Sequence, residues 1–163
     1  MLSITITDVK KMTSLLFAND TFDRFLLRDA SFNTAISATF SGELNPDFFE
    51  ESEREGLKDD PYLPWGSLRP VFFQLIKGKR LPLSFKAVLM TNRESTDALS
   101  KKCGFTDTPV SSLSMNLSYR DGALFLTTGV AYGGFTLDKS MEKYWDETVM
   151  KFLSSKEVSY KEA

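Results

Sequence analysis

The chain has 163 residues, of which 42% are hydrophobic and fourteen are Phe, and it carries a formal net charge of −2. That composition supports a sizeable core and excludes wholesale disorder, and no apolar run approaches the roughly 18 residues that a membrane-spanning helix needs. Histidine is absent and Cys103 is the one cysteine, so imidazole acid–base chemistry, His-based triads, the usual zinc sites and an internal disulfide are all excluded.

In chain order, Leu2, Ile4 and Ile6 alternate as a short strand. Val9, Met12, Leu15 and Leu16 then recur at helical spacing, with Thr7-Asp8 at the helix start. Phe32, Thr34, Ile36, Ala38 and Phe40 share one side of a predicted half-buried strand. Its predicted partner is FDRFLLRD, across a turn near Asp29 to Ser31. Asn45-Pro46 reads as a cap and first residue of a short acidic helix through Phe48 and Phe49. A charged loop ending in Pro64 leads to a helix from Trp65 to Gly78, with the stripe Leu68, Val71, Phe72, Leu75 and Ile76.

LPLSFKAVLM reads as a central strand with Leu83, Phe85, Ala87 and Leu89 on one face. Thr91 and Glu94 have capping-box spacing for a helix running to Cys103 and stopping at Gly104. Asp121-Gly122 is the favoured dipeptide of a two-residue type I′ hairpin. That turn opposes Arg120 to Ala123, and the same register places Leu113, Met115, Leu117 and Tyr119 opposite Val130, Thr128, Leu126 and Leu124 on one mostly apolar face. The last helix runs from Asp138 to about Ser154, with a stripe of Met141, Tyr144, Trp145, Thr148, Phe152 and Leu153.

These elements predict one α+β domain over residues 1–163, its last residues frayed. About six strands form a largely antiparallel sheet with helices packed on one face. The opening MLSITITDVKKM lacks the basic start and hydrophobic middle of a signal peptide, so the expected location is cytoplasmic, with no membrane partner.

Charge is segregated along the chain. Residues 43–60 hold eight acids and two bases, whereas residues 61–93 hold six bases and no acid. Arg69, Lys77, Lys79, Arg80 and Lys86 are therefore the anion-binding candidates, for a small anionic ligand, a phosphate, or an acidic protein. The competing reading has Lys77 complementing a helix dipole, Lys79 and Arg80 solvating a turn, and the acidic segment offsetting the bases within the fold. Nucleic acid is disfavoured, since Lys86 should point away from the Leu83–Phe85 face and scatter the bases. Trp65, Thr127, Thr128, Tyr132 and Trp145 are candidate pocket residues, the last four near the glycine-rich TTGVAYGGF or on the final helix. Against that, paired aromatics at helical spacing are ordinarily core. No metal site and no cofactor are predicted.

ITDVKKMTSLLFANDTFDRFLLRDASF, WGSLRPVFFQLIKGKRLPLSFK, TTG and FTLDKSMEKYWDETVMKFL together resemble short uncharacterised proteins from clostridial gut bacteria that carry a domain of unknown function. The resemblance spans nearly the whole chain and implies a one-domain bacterial protein, with no activity to assign to any residue. The expected function is a non-enzymatic interaction or small-ligand-binding domain. The alternative is an enzyme using carboxylate or lysine chemistry, or a phosphate- or nucleic-acid-binding protein acting through residues 69–86.

Overall fold

A computed structural model describes residues 1–163. Seven strands form one antiparallel sheet: β1 Ser3–Ile6, β2 Leu26–Asn33, β3 Ser37–Ser41, β4 Ser84–Met90, β5 Val110–Arg120, β6 Ala123–Tyr132 and β7 Tyr160–Glu162, in the order β3-β2-β4-β5-β6-β1-β7. The helices are α1 Val9–Thr13, which runs on into a π turn at Ser14–Ala18, α2 Glu51–Arg54, α3 Trp65–Ile76, α4 Arg93–Cys103 and α5 Ser140–Ser155. The fold is α+β, with seven strands where the sequence predicts six. No helix is long and apolar enough to cross a membrane.

The period-two pattern sorts the sheet into two unlike faces. Ile4, Ile6, Phe32, Phe85, Ala87, Leu89, Met115, Leu117 and Leu126 point to one side and join a core of 28 buried residues, to which the helices contribute Met12, Phe17, Trp65, Phe72, Trp145 and Leu153. An aromatic cluster welds helix to sheet: Phe17 stacks on Phe72 at 5.2 Å and meets Phe85 edge-on at 5.1 Å, and Phe72 meets Phe32 edge-on at 5.4 Å. The opposite face carries Thr5, Ser31, Lys86, Ser114, Asn116, Ser118 and Thr127, none of them buried.

Asp121-Gly122 forms the expected hairpin with φ of 51° and 76°, and β5 and β6 pair in the predicted register, Arg120 with Ala123 and Leu117 with Leu126. Several local expectations are corrected. The strand predicted through Phe32 to Phe40 is two strands, and the turn lies at 34–36 between paired Asn33 and Ser37. At α4 the cap is Asn92, whose Oδ1 accepts from Ser95 N at 2.8 Å, because Thr91 turns inward to share a hydrogen bond with the Thr96 hydroxyl at 2.6 Å. Asn45-Pro46 begins only a single 3₁₀ turn, and α2 follows with Glu50 and Glu53 capping one another.

The chain end is not frayed, because β7 pairs with β1 and covers what would be a bare sheet edge. The stripe of α3 is also rotated from expectation. Trp65 and Phe72 are buried, whereas Val71 and Leu75 face outward. Leu83 is exposed as well, since β4 pairing begins one residue later, at Ser84 opposite Asn33.

Candidate functional site

A groove of about 730 Å³ lies between α1 with its π turn, the C-terminal end of α3, the loop at 77–83 and the β5–β6 hairpin. Each wall follows from local chemistry. The amphipathic α1, capped by Asp8 Oδ1 accepting from Lys11 N at 3.1 Å, turns Met12 to the core and leaves Val9, Lys10 and Thr13 on the groove side. The π turn that follows brings Phe17 over Phe85, and Phe85 stacks on Tyr119 at 5.2 Å, so the floor is aromatic. The opposite wall is Phe73 and Ile76 from α3, then Lys77, Gly78, Arg80, Leu81 and Pro82 where the chain leaves the helix for β4.

The electrostatics of this groove have one sign. Lys10, Lys77 and Arg80 line it and no carboxylate does, and none of the three cations takes part in an ion pair. The nearest acids in sequence are Asp8, whose carboxylate caps α1, and Asp121 at the hairpin turn, and neither lines the groove. An apolar floor under three free cations attracts a molecule with an apolar body and a negative end.

The five anion-binding candidates therefore separate. Lys77 and Arg80 come together in the groove, with Lys10 added from a distant part of the chain. Lys79 is exposed outside it. Lys86 lies on the open sheet face, paired in register with Ser31 and Ser118. Arg69 is committed within the fold: its Nε and Nη2 donate to the two Asp23 carboxylate oxygens at 2.7 and 3.1 Å, and these bonds raise its already high pKa further. No ion pair joins the acids of 43–60 to the bases of 69–86. Asp59 and Asp60 instead line a polar cleft of about 260 Å³ beside Met90, at the far end of β4, where Asp60 Oδ1 accepts from Arg93 N at 2.8 Å.

The five pocket candidates do not meet either. Trp65 is fully buried, its Nε1 donating to Leu16 O at 2.8 Å. Trp145 donates to Ser114 O at 2.9 Å and lines a smaller cavity of about 200 Å³ between α4 and α5, with Met115, Thr148 and Phe152. Thr128 faces the core and bonds Asp146, while Thr127 lies on the open face and accepts from Asn116. Tyr132 packs on Phe105 at 5.5 Å. Its hydroxyl is buried against the Glu142 carboxylate, and burial, with the charges of Glu142 and Asp138, pushes its pKa up to about 12.

Sequence reasoning missed Lys10, Phe17, Phe73 and Tyr119 as groove residues. The three aromatics signal only apolar periodicity, which marks burial and says nothing about which helix end faces which hairpin, and Lys10 carries no signal beyond its charge. No curated protein and no solved structure matches the chain. The model of a family of unknown function, DUF5721, matches residues 15–161, and the chain belongs to that family.

Proposed function

We propose that the protein binds a small amphipathic anion, apolar along most of its length and negative at one end, in the groove between α1, α3 and the β5–β6 hairpin, and that it does so as a single cytoplasmic domain. The observation that carries this reading is the groove's lining: an aromatic and aliphatic floor with Lys10, Lys77 and Arg80 at its edge and no carboxylate. Its volume of about 730 Å³ falls in the range of about 300–1,000 Å³ typical of small-molecule sites. Binding is favoured over catalysis because cations set around an apolar floor are suited to recognising charge and shape. The single-domain reading is supported by one core that draws on β1 near the start of the chain and α5 near its end. The cytoplasmic reading is supported by the lone free Cys103.

Fluorescence titration with anilinonaphthalene sulfonate, an aromatic body with a sulfonate, tests the groove. Dodecanoate should displace the probe and dodecylamine should not. Lys77→Gln with Arg80→Gln should weaken binding about tenfold, and Ala18→Trp, which projects a ring into the groove from its exposed rim, should abolish it. Equal displacement by the amine, or full binding in the Ala18→Trp variant, would overturn the reading.

A further inference from the structure

We propose that the surface around residues 77–83 docks the protein onto an anionic lipid bilayer. Leu81 and Leu83 are 81% and 74% exposed, flank Pro82, and follow directly on Lys77, Lys79 and Arg80. Leucines so exposed contribute little to the chain's own packing. Two of them beside three cations in one short loop form an interfacial anchor, in which the bases are held by anionic headgroups while the leucines enter the acyl boundary beneath.

The surroundings continue the same surface. Val71 and Leu75, one turn apart on the outward side of α3, are 51% and 39% exposed and lead into the loop. Lys10 stands across the groove on α1. No acid lies between Asp60 and Glu94 in the sequence, Asp60 sits at the other end of β4, and the single acid of the β5–β6 turn at this end, Asp121, is outnumbered by Lys77, Lys79 and Arg80. A surface anchor of this kind needs no spanning helix, so the absence of one is compatible with it.

Charge alone would equally suit a nucleic acid, and the leucines decide between the two. The loop offers no aromatic ring on which a base can stack, and exposed aliphatic side chains gain nothing against a hydrated phosphate backbone. Against a bilayer those same side chains are what convert electrostatic attraction into insertion. Docking in this orientation sets Arg80 and Leu81, which line the groove, at headgroup level. It does not require that the groove be occupied.

Co-sedimentation of the full chain with phosphatidylcholine vesicles, with and without phosphatidylglycerol, tests the proposal. Binding should require the anionic lipid and fall as salt rises. Changing Lys77, Lys79 and Arg80 together to Gln should weaken partitioning by about two orders of magnitude, from about one decade or slightly less for each base at an anionic surface. Leu81→Ser with Leu83→Ser keeps the charge and should weaken it by about tenfold through lost apolar insertion. Ala18→Trp, which blocks the groove, should leave vesicle binding intact, so failure of docking and failure of the groove reading are told apart. Absence of binding to anionic vesicles, or serine variants that bind like the parent, would overturn the proposal. So would a mobility shift with duplex DNA that needs the three bases but not the leucines.

Discussion

Arg69 shows why a base in an acid-free stretch need not be available to a ligand. Its guanidinium and the Asp23 carboxylate are 20% and 26% exposed and bonded at two points, so most of the cost of desolvating each ion is offset only while the other is present. Asp23→Ala should therefore lower stability by about 2 kcal/mol. Arg69→Ala should cost a similar amount, and the double variant little more than either alone. Urea denaturation of the four proteins measures this, and strictly additive losses would show that the pair is not coupled. Tyr132 gives a different case, a neutral hydroxyl buried against the Glu142 carboxylate. Tyr132→Phe should change stability at neutral pH by no more than about 1 kcal/mol, since it removes both the cost of burying the hydroxyl and its interaction with Glu142. The sign at high pH follows from the raised value. The folded protein keeps a proton that the unfolded chain gives up, so stability is fully present below a pH near 10 and falls as pH climbs toward 12. The phenylalanine variant should lack that component of the fall, and parallel pH–stability curves for the two proteins would contradict it.

At the scale of elements, the two hairpins explain what could be read in the sequence and what could not. Across the two-residue Asp121-Gly122 turn, paired residues differ in parity, as Arg120 and Ala123 do. The alternation therefore breaks at the turn, and the break agrees with the turn dipeptide. Across 34–36, paired residues share parity, as Asn33 and Ser37 or Phe32 and Ala38 do. The alternation runs through that turn without interruption, so two strands look like one. β7 is missed for a different reason: three residues are too few to show a period. The groove was legible only through Lys77 and Arg80, since its walls come from three separate segments and their meeting is a tertiary fact.

Two glycines test the hairpins. A Cβ on Gly42, just after β3, would lie 1.8 Å from the Leu27 carbonyl oxygen, so Gly42→Ala must push β3 off β2 and should cost about 3 kcal/mol. Gly122 has open space around it but a φ of 76°, so Gly122→Ala pays only the left-handed backbone penalty of about 1 kcal/mol. Denaturant midpoints rank the two, and a larger loss at Gly122 would show that turn conformation outweighs close packing here.

Over the whole molecule, the charge runs in the sequence become a dipole laid along the strands. The basic loop precedes Ser84 at one end of β4, and Asp59 and Asp60, which close the acidic segment, lie beside Met90 at the other, where bridges join Glu43 to Tyr62 and Leu26 to Pro64. Seven residues of β4 separate these ends by about 20 Å. That is about twice the screening length at moderate ionic strength, so a surface touching one end scarcely feels the other. The expectation that the acids neutralise the bases inside the fold fails for this reason. It follows that a protein of net charge −2 should behave at neutral pH as both an acid and a base. It should be retained on an anion exchanger through residues 43–60 and, at low salt, on a heparin support through residues 77–80. Changing Glu50, Glu51 and Glu53 to Gln should advance elution from the exchanger and leave heparin retention almost unchanged. Changing Lys77, Lys79 and Arg80 to Gln should abolish heparin retention and leave elution from the anion exchanger almost unchanged. If either set altered both columns in proportion to net charge alone, the two ends would not be acting as separate surfaces.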